Sequence, residues 1–550
     1  MLETLEIENY KSFHENKFDF PNLTIFVGSN SCGKSSITNL LLMLSQSAQN
    51  NYNFDSILRL NGKYVGLGDD INIFNGHDKS KVVTITWSVE DSKNNDFFNN
   101  IDSVIEVYYH KFHINFSLLR KYLNGPEDAD RLEKAWSIFK EMDLLYYRLT
   151  EDRDIKKIVS LFKSQQIFIK KICREKNINA KNVFSCFSAA RIEELLYAVN
   201  GIDYSTIQPK KLSIKVRYNA NSMELELAEH QILNKNNEVI FGHKFNSTGK
   251  IDIESVFLPD NILQKSRLDI VKEINNKHLC LYDIDNSKSI LSSFEENAVA
   301  SFCLNYIGSA SKFLCRQLLD DKIFHVSPLR ALPQRYYLLE KSVYHNTINS
   351  YDGTQVTEVL KNNSKVRDLV NDFFKDFNIK IKTERVRDVI HKIAITQDGI
   401  NVDLTDVGFG ISQVLPILVQ VFLCKKDSII IIEQPEIHLH PNMQALLATL
   451  LAKIAVSSRK KLIIETHSET IIRRLQRLYL DPEFKLSQDD LRIYQFTRNP
   501  DGSSKAQCDT LGYLGEIKWL KGFKEIEIED TIAIQKLRTD KISREGHADE

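Results

Sequence analysis

The residues best suited to chemistry lie in four short segments. Gly28-Ser29-Asn30-Ser31-Cys32-Gly33-Lys34-Ser35 has the G-x-x-x-x-G-K-[ST] spacing of a phosphate loop, set between the apolar run Leu23–Val27 and a helical stretch. Glycines let backbone N–H groups wrap close to phosphate oxygens, and a following helix N-terminus adds a favourable dipole. The expectation is that Asn30, Ser31, Cys32, Gly33 and Ser36 belong to the cradle, that Lys34 would bridge the β- and γ-phosphates of ATP, and that the Ser35 hydroxyl would ligate Mg2+. A second segment, Ser428-Ile429-Ile430-Ile431-Ile432-Glu433, reads as a parallel strand buried on both faces, with Glu433 facing the Mg2+ shell from its carboxyl end. In the third, Asp406-Val407-Gly408-Phe409-Gly410-Ile411-Ser412-Gln413, glycines are followed by Ser and Gln before an apolar helix. That is either an anion-binding corner or a turn with a Ser N-cap. The fourth, Leu462-Ile463-Ile464-Glu465-Thr466-His467-Ser468, is an apolar strand leading to a histidine that, taken alone, is as readily a satisfied loop residue as a functional one.

Positioning these segments takes strands that end where loops begin. Residues 2–8 and 18–27 alternate or run apolar as strands do, and Ile37–Leu44 is a dense apolar stretch of helical character, so the chain opens as strand, glycine turn, helix. Period-2 segments at Val82–Val89, Val104–Phe116, Leu212–Leu227 and Val239–Phe245 predict an antiparallel side layer. Asp128–Asn200 has no proline and carries Trp136, Phe139, Met142 and Tyr146 at helical spacing, which predicts an insertion of a few helices, too short for a long coiled-coil arm. Phe294–Leu319 reads as another helical stretch, ahead of a strand at Ile323–Val326. The expected class is α/β, a mixed sheet flanked by helices with an antiparallel side layer and a helical insertion. The expected divisions are a first head part at 1–125, the insertion at 126–205, a β layer with connecting helices at 206–320, a second head part at 321–500 and a tail at 501–550, disordered over its last dozen residues.

Bulk properties narrow the function classes. At 550 residues the chain exceeds the roughly 250–300 that one core serves. No run approaches the ~18 apolar residues of a membrane span, and the N-terminus lacks the basic and apolar regions of a signal peptide, so the expectation is a cytoplasmic protein with no membrane partner. Lys plus Arg (72) nearly cancels Asp plus Glu (73), so a nucleic-acid partner would need a local patch. Eight cysteines, at 32, 173, 186, 280, 303, 315, 424 and 508, show no CxxC pair, which predicts neither disulfides nor structural zinc.

In this order the four segments resemble the ATP-binding-cassette ATPases of the SMC, RecF and OLD type, which carry a Walker A loop, a long insertion, a signature motif, a Walker B strand, a D-loop and a switch histidine. The resemblance covers roughly residues 1–90 and 320–500. It implies an ABC-type P-loop head binding ATP with Mg2+, and a head-to-tail dimer or higher assembly with each nucleotide between one Walker A loop and the other copy's signature. It also implies that Gly410, Ser412 and Gln413 touch the partner's γ-phosphate, that Glu433 is the Walker B acid, that Ile437–His440 form the D-loop and that His467 senses the γ-phosphate. No Q-loop glutamine is assigned. Ile432-Glu433-Gln434-Pro435-Glu436-Ile437-His438-Leu439-His440-Pro441 is similar to the AAA-type, DUF3696-containing branch, as are Ser327-Pro328-Leu329-Arg330-Ala331-Leu332-Pro333 and Gly515-Glu516-Ile517-Lys518-Trp519-Leu520-Lys521-Gly522-Phe523. That branch includes PtuA-type ATPase subunits of Septu anti-phage systems and of retrons with a Septu-like effector. The resemblance implies a separate, PtuB-like HNH nuclease as partner and, with a retron, a reverse transcriptase and its multicopy single-stranded DNA.

One departure bears on mechanism. Cassette ATPases follow the Walker B acid with a glutamate that polarises water, and here that position is Gln434. An amide can orient water but cannot take its proton, and loss of a general base costs ~10²–10⁴-fold in rate. The expectation is ATP binding with slow or no hydrolysis, unless Glu436, two residues on, substitutes. No HNH signature is present, Asp489-Asp490 reads as a solvated turn, and the chain after His467 leaves little room for a Toprim domain, so any nucleic-acid cleavage is expected on another polypeptide. Arg473, Arg474 and Arg477, with Arg459-Lys460-Lys461, are either solvated or a phosphate- or partner-docking patch. Trp519 and Phe523 either anchor a partner or pack on the head. The leading expectation is an ATP-gated sensor subunit of a defence complex. Its rivals are a DNA-repair ATPase of RecF or Rad50 type and a transporter ATPase subunit, the latter without coupling segments to support it.

Overall fold

The computed structural model describes the chain except for residues 49–56, 91–95, 148–154, 180–183, 185–188, 201–205, 246–249, 257, 274–296, 320, 340–352, 520–529, 531 and 540–550. The expected disorder of the last dozen residues falls almost wholly outside the described part. The chain forms two compact units, one of Met1–Gln49, Arg59–Val83 and Gln317–Glu550, the other of Asn50–Leu58 and Thr84–Arg316.

The first unit carries a mixed sheet. Five parallel strands lie side by side in the order Leu491–Arg498, Leu23–Gly28, Lys461–Glu465, Ile429–Glu433 and Ile323–Val326. Antiparallel Leu2–Tyr10 and Phe13–Asp19 continue it, joined through Ser504–Asp509, so the sheet draws on residues beyond 500. Ile429–Ile432 are at most 1% exposed, as an all-apolar strand covered on both faces requires. The helices Phe409–Leu423, Pro441–Ser457 and Glu469–Leu480 send Leu415, Leu418, Leu447, Leu451, Ile472 and Leu475 into the same core. The last of these is amphipathic, and Ser468 caps it by accepting from the Ile471 N–H at 3.1 Å. A second, small antiparallel sheet holds Tyr337–Leu338, Ile379–Arg385, Ile390–Gln397 and Ile400–Asp403.

The second unit pairs Lys211–Asn219, Glu224–Leu233, Val239–Phe245 and Ile251–Glu254 into an antiparallel meander. Leu212–Leu227, read as one strand segment, is two strands joined by a turn at Ala220–Met223. Val104–Phe116 is corrected outright: it lies inside a 27-residue helix, Asp96–Tyr122. Its β-branched and aromatic content mimics a strand, but Phe112, Phe116, Leu119 and Leu123 are all buried at spacings of four, three and four residues, which only a helix satisfies. The helices Ala129–Tyr147, Ile155–Glu175, Ala189–Asn200 and Ala298–Cys315 fall where helical periodicity placed them.

Candidate nucleotide-binding site

The phosphate loop joins the strand Leu23–Gly28 to the helix Lys34–Ser47. Glycine is required at both ends of the turn. A Cβ on Gly28 (φ 145°) would sit 2.4 Å from the Phe496 carbonyl oxygen, and one on Gly33 (φ 102°) 2.8 Å from the Phe13 ring. Ser31 also takes a left-handed backbone, φ 62°. The N–H groups of Asn30, Ser31, Cys32 and Gly33 meet no protein acceptor among the described residues, and no acidic side chain occupies the first helical turn. Free amides at a helix start are what an anion needs. Lys34 is 4% exposed and its Nζ donates to the carbonyls of Gly28 (3.0 Å) and Ser29 (2.8 Å), folded back over the loop that would receive phosphate.

Parallel register sets Glu433 directly beside Glu465, on one face of two adjacent strands. The two acids face different partners. Glu433 Oε1 accepts from Thr38 Oγ1 at 3.0 Å and lies 3.3 Å from His325 Nε2. Ser35 Oγ donates to Glu465 Oε1 and Oε2 at 3.2 and 3.1 Å, and Lys34 Nζ stands 4.0 Å from Oε1. Burial, reinforced by the charge of Glu433, pushes the Glu465 carboxyl up to about 7.

Gln434 follows in a left-handed conformation, φ 45°, its N–H donating to the Glu465 carbonyl at 2.7 Å. Arg330, 6% exposed, sends Nη2 to the carbonyls of Glu433 (2.8 Å) and Gln434 (3.1 Å), while its buried Nε and Nη1 find no partner among the described residues. Burial lowers this guanidinium to about 10, against the opposing charge of Glu436. Both oxygens of Glu436 are engaged, Oε2 by Thr466 Oγ1 at 2.8 Å and Oε1 by the His467 N–H at 2.7 Å. The carboxylate read as a stand-in base therefore clasps the turn after Glu433 to the turn after Glu465. The half-buried His467 imidazole is held below its usual range, first by burial and then by the charge of Lys34.

The N-cap of the helix Phe409–Leu423 is Gly408, not Ser412. Ser412 donates to the Phe409 carbonyl at 2.7 Å, and Ser412 and Gln413 are buried, whereas Gly408 and Phe409 are exposed. This corner shares an open cavity of about 850 Å³ with His438 and His440. The basic segment leading into the strand Lys461–Glu465 is no patch: Lys461 Nζ is buried on the carbonyls of Leu2 and Phe20, Lys460 Nζ on that of Val421, and only Arg459 of the three is exposed, paired with Asp427. Arg473 pairs with Glu469. Trp519 packs on the core of its unit, and Phe523 lies outside the described residues.

Thr38, His325 and Glu465 received no role from sequence reasoning, and Arg330 was noted only within its motif. Glu465 could have been found, since Ile-Ile-Glu ends both central strands. Thr38 stands one turn beyond Ser35, and His325 is visible only once its strand is known to flank that of Glu433.

The donor set suits Mg2+, a hard cation that takes one or two protein oxygens and leaves the rest to water and phosphate. No group of three or more His, Cys, Asp or Glu gathers as a metal cluster among the described residues, and Mg2+ with a nucleotide does not need one. Bound there beside Ser35, the ion would supply charge neutralisation to the phosphates.

A glycine-clamped loop opening a helix at the carboxyl ends of parallel strands, with a buried lysine and two strand-end acids, defines a P-loop nucleotide-binding protein. A family model described as AAA ATPase domain matches residues 1–241 and 337–472, more than half of the sequence, and the chain belongs to that family. Membership implies nucleotide binding. Solved structures of SMC heads are similar to it. One SMC head domain, from Thermotoga maritima, is 9% identical, with 92% of this chain and 98% of that chain covered and a TM-score of 0.31. A Smc head domain with an extended coiled coil, bound to the C-terminal domain of ScpA derived from Pyrococcus furiosus, is 12% identical, with coverages of 97% and 99% and a TM-score of 0.32. An SmcHead bound to the C-winged helix domain of ScpA is 11% identical, with 93% and 98% and a TM-score of 0.33. No curated protein matches the chain. No helix among the described residues is long and apolar enough to cross a membrane.

Proposed function

We propose that this ATPase is the nucleotide-gated regulatory subunit of an anti-phage defence complex. ATP closes two copies head to tail, occupancy more than turnover carries the signal, and a separate HNH nuclease, with or without a retron, is restrained until the assembly is perturbed. The observation that carries the slow-switch reading is the turn after Glu433. Gln434 holds an amide where a general base is needed, and the neighbouring carboxylate, Glu436, has both oxygens committed to Thr466 and His467. The defence role is supported by the Ser327–Pro333 and Ile432–Pro441 motifs.

Two measurements test this. Steady-state turnover should rise by about 10²-fold or more in Gln434→Glu; wild-type turnover above ~1 s⁻¹ that survives Glu436→Ala overturns the switch. The tagged chain should copurify with a small HNH nuclease and should not cut nucleic acid alone. Salt-dependent DNA binding by the isolated chain together with rapid turnover would favour a repair ATPase acting directly on DNA.

A further inference from the structure

We propose that Glu465, and not Glu433, is the carboxylate that shares a divalent cation with Ser35 when a nucleoside triphosphate is bound. The inference rests on the nucleotide reading above and assigns a residue that the motif order passes over.

Geometry separates the two acids. The hydroxyl that a phosphate loop offers to a divalent cation is that of Ser35, and Ser35 Oγ lies 3.1–3.2 Å from both oxygens of Glu465. Glu433 turns one oxygen elsewhere: Thr38 Oγ1 donates to its Oε1 at 3.0 Å, and His325 Nε2 stands 3.3 Å from the same atom without hydrogen-bonding to it. The Glu465 side chain is 7% exposed, and Lys34 Nζ, 4.0 Å away, is the cation the structure places beside it. That ammonium is the group the loop sends to phosphate. When Lys34 turns to a triphosphate, Glu465 loses its countercharge beside a newly arrived polyanion, and a small hard cation between carboxylate, hydroxyl and phosphate restores it. Glu433 then acts from the neighbouring strand as a positioning residue, through Thr38, which lies one helical turn from Ser35.

The test is equilibrium binding of ATP to the full chain by calorimetry, in EDTA and in excess Mg2+, for wild type, Glu465→Gln, Glu433→Gln, Ser35→Ala and the double variant Ser35→Ala/Glu465→Gln. Mg2+ should tighten ATP on wild type by about 10- to 100-fold. Glu465→Gln should remove most of that gain while ATP affinity in EDTA holds or improves, and Glu433→Gln should keep most of it. The losses from Ser35→Ala and Glu465→Gln should be non-additive, because both groups hold one ion. Mn2+ bound with ATP should show an altered paramagnetic resonance spectrum in Glu465→Gln, a change that fold stability alone would not produce, and Glu465→Asp should recover part of the metal effect if the glutamine variant folds poorly. A full Mg2+ gain in Glu465→Gln, or additive losses in the cycle, overturns this inference alone. No ATP binding by wild type in either buffer overturns the nucleotide reading with it.

Discussion

The Ser35 hydroxyl donates to both carboxylate oxygens of Glu465, joining the start of the first helix to the end of a strand 430 residues later in the chain. Neither partner reaches the other by local structure. The parallel pairing of Lys461–Glu465 with Leu23–Gly28 brings them together, and the site is therefore a product of the sheet.

Apo stability should depend on Glu465. Its folded value, about 7, lies above the usual 4.5, so its contribution is fully present below pH 4.5 and is lost as pH rises through 7. In EDTA, wild type should lose about 3 kcal/mol of unfolding free energy across that window, and Glu465→Gln should not. Denaturant midpoints at pH 5 and pH 8 measure the difference; parallel profiles for the two proteins would contradict it.

Breaking the Glu436 clasp should destabilise the site. Glu436→Ala leaves the fully buried Thr466 and the His467 N–H without their shared acceptor, at a cost of about 2–4 kcal/mol. Glu436→Gln keeps one carbonyl acceptor and should lose about half as much. Chemical denaturation of the three proteins checks the order.

Arg330 should hold the turn at Gln434 in its left-handed shape. Removing the guanidinium strands two carbonyls and frees a backbone at φ 45°. In Arg330→Ala, amide exchange across residues 433–437 should quicken by about tenfold or more, and Arg330→Lys, with one compact ammonium in place of a planar fork, should restore part of the protection. Unchanged exchange in Arg330→Ala would show that the turn holds itself.

The second unit should be acid-sensitive for a reason of its own. His230 and His243 stack at 5.3 Å on adjacent strands, both buried, with no nitrogen of either ring hydrogen-bonded among the described residues. Burial drives His243 to about 3 and His230 well below its usual range, the latter helped by the charge of His243. Depressed values mean stability is present above about pH 6.5 and lost as pH falls towards the folded values, with a slope near 2.7 kcal/mol per pH unit for two protons. Hydrogen exchange of peptides within Glu224–Phe245 should show that slope, and His243→Leu should roughly halve it.

How much of this was legible varies with the range of the interactions. The strand Ile323–Val326 matches its expected bounds because short all-apolar runs ending at turns have few other solutions. The phosphate loop was legible because its spacing is local. Val104–Phe116 misled because side-chain type outweighed period there, although the buried Phe112, Phe116 and Leu119 carry a helical repeat. Glu465, His325 and Thr38 were not legible as site residues, since their roles depend on which strands are neighbours. The buried Lys460 and Lys461 were misread for the same reason, as a lysine that reaches distant carbonyls looks like any other charge in sequence.

Every role assigned to the site depends on the loop around Lys34 holding a nucleoside triphosphate. Equilibrium titration of ATP into wild type and Lys34→Ala tests it most directly. Binding should be saturable in wild type and about 10- to 100-fold weaker in the variant, which loses some stability with the countercharge of Glu465 but still unfolds cooperatively. Equal ATP affinity in the two proteins would contradict it.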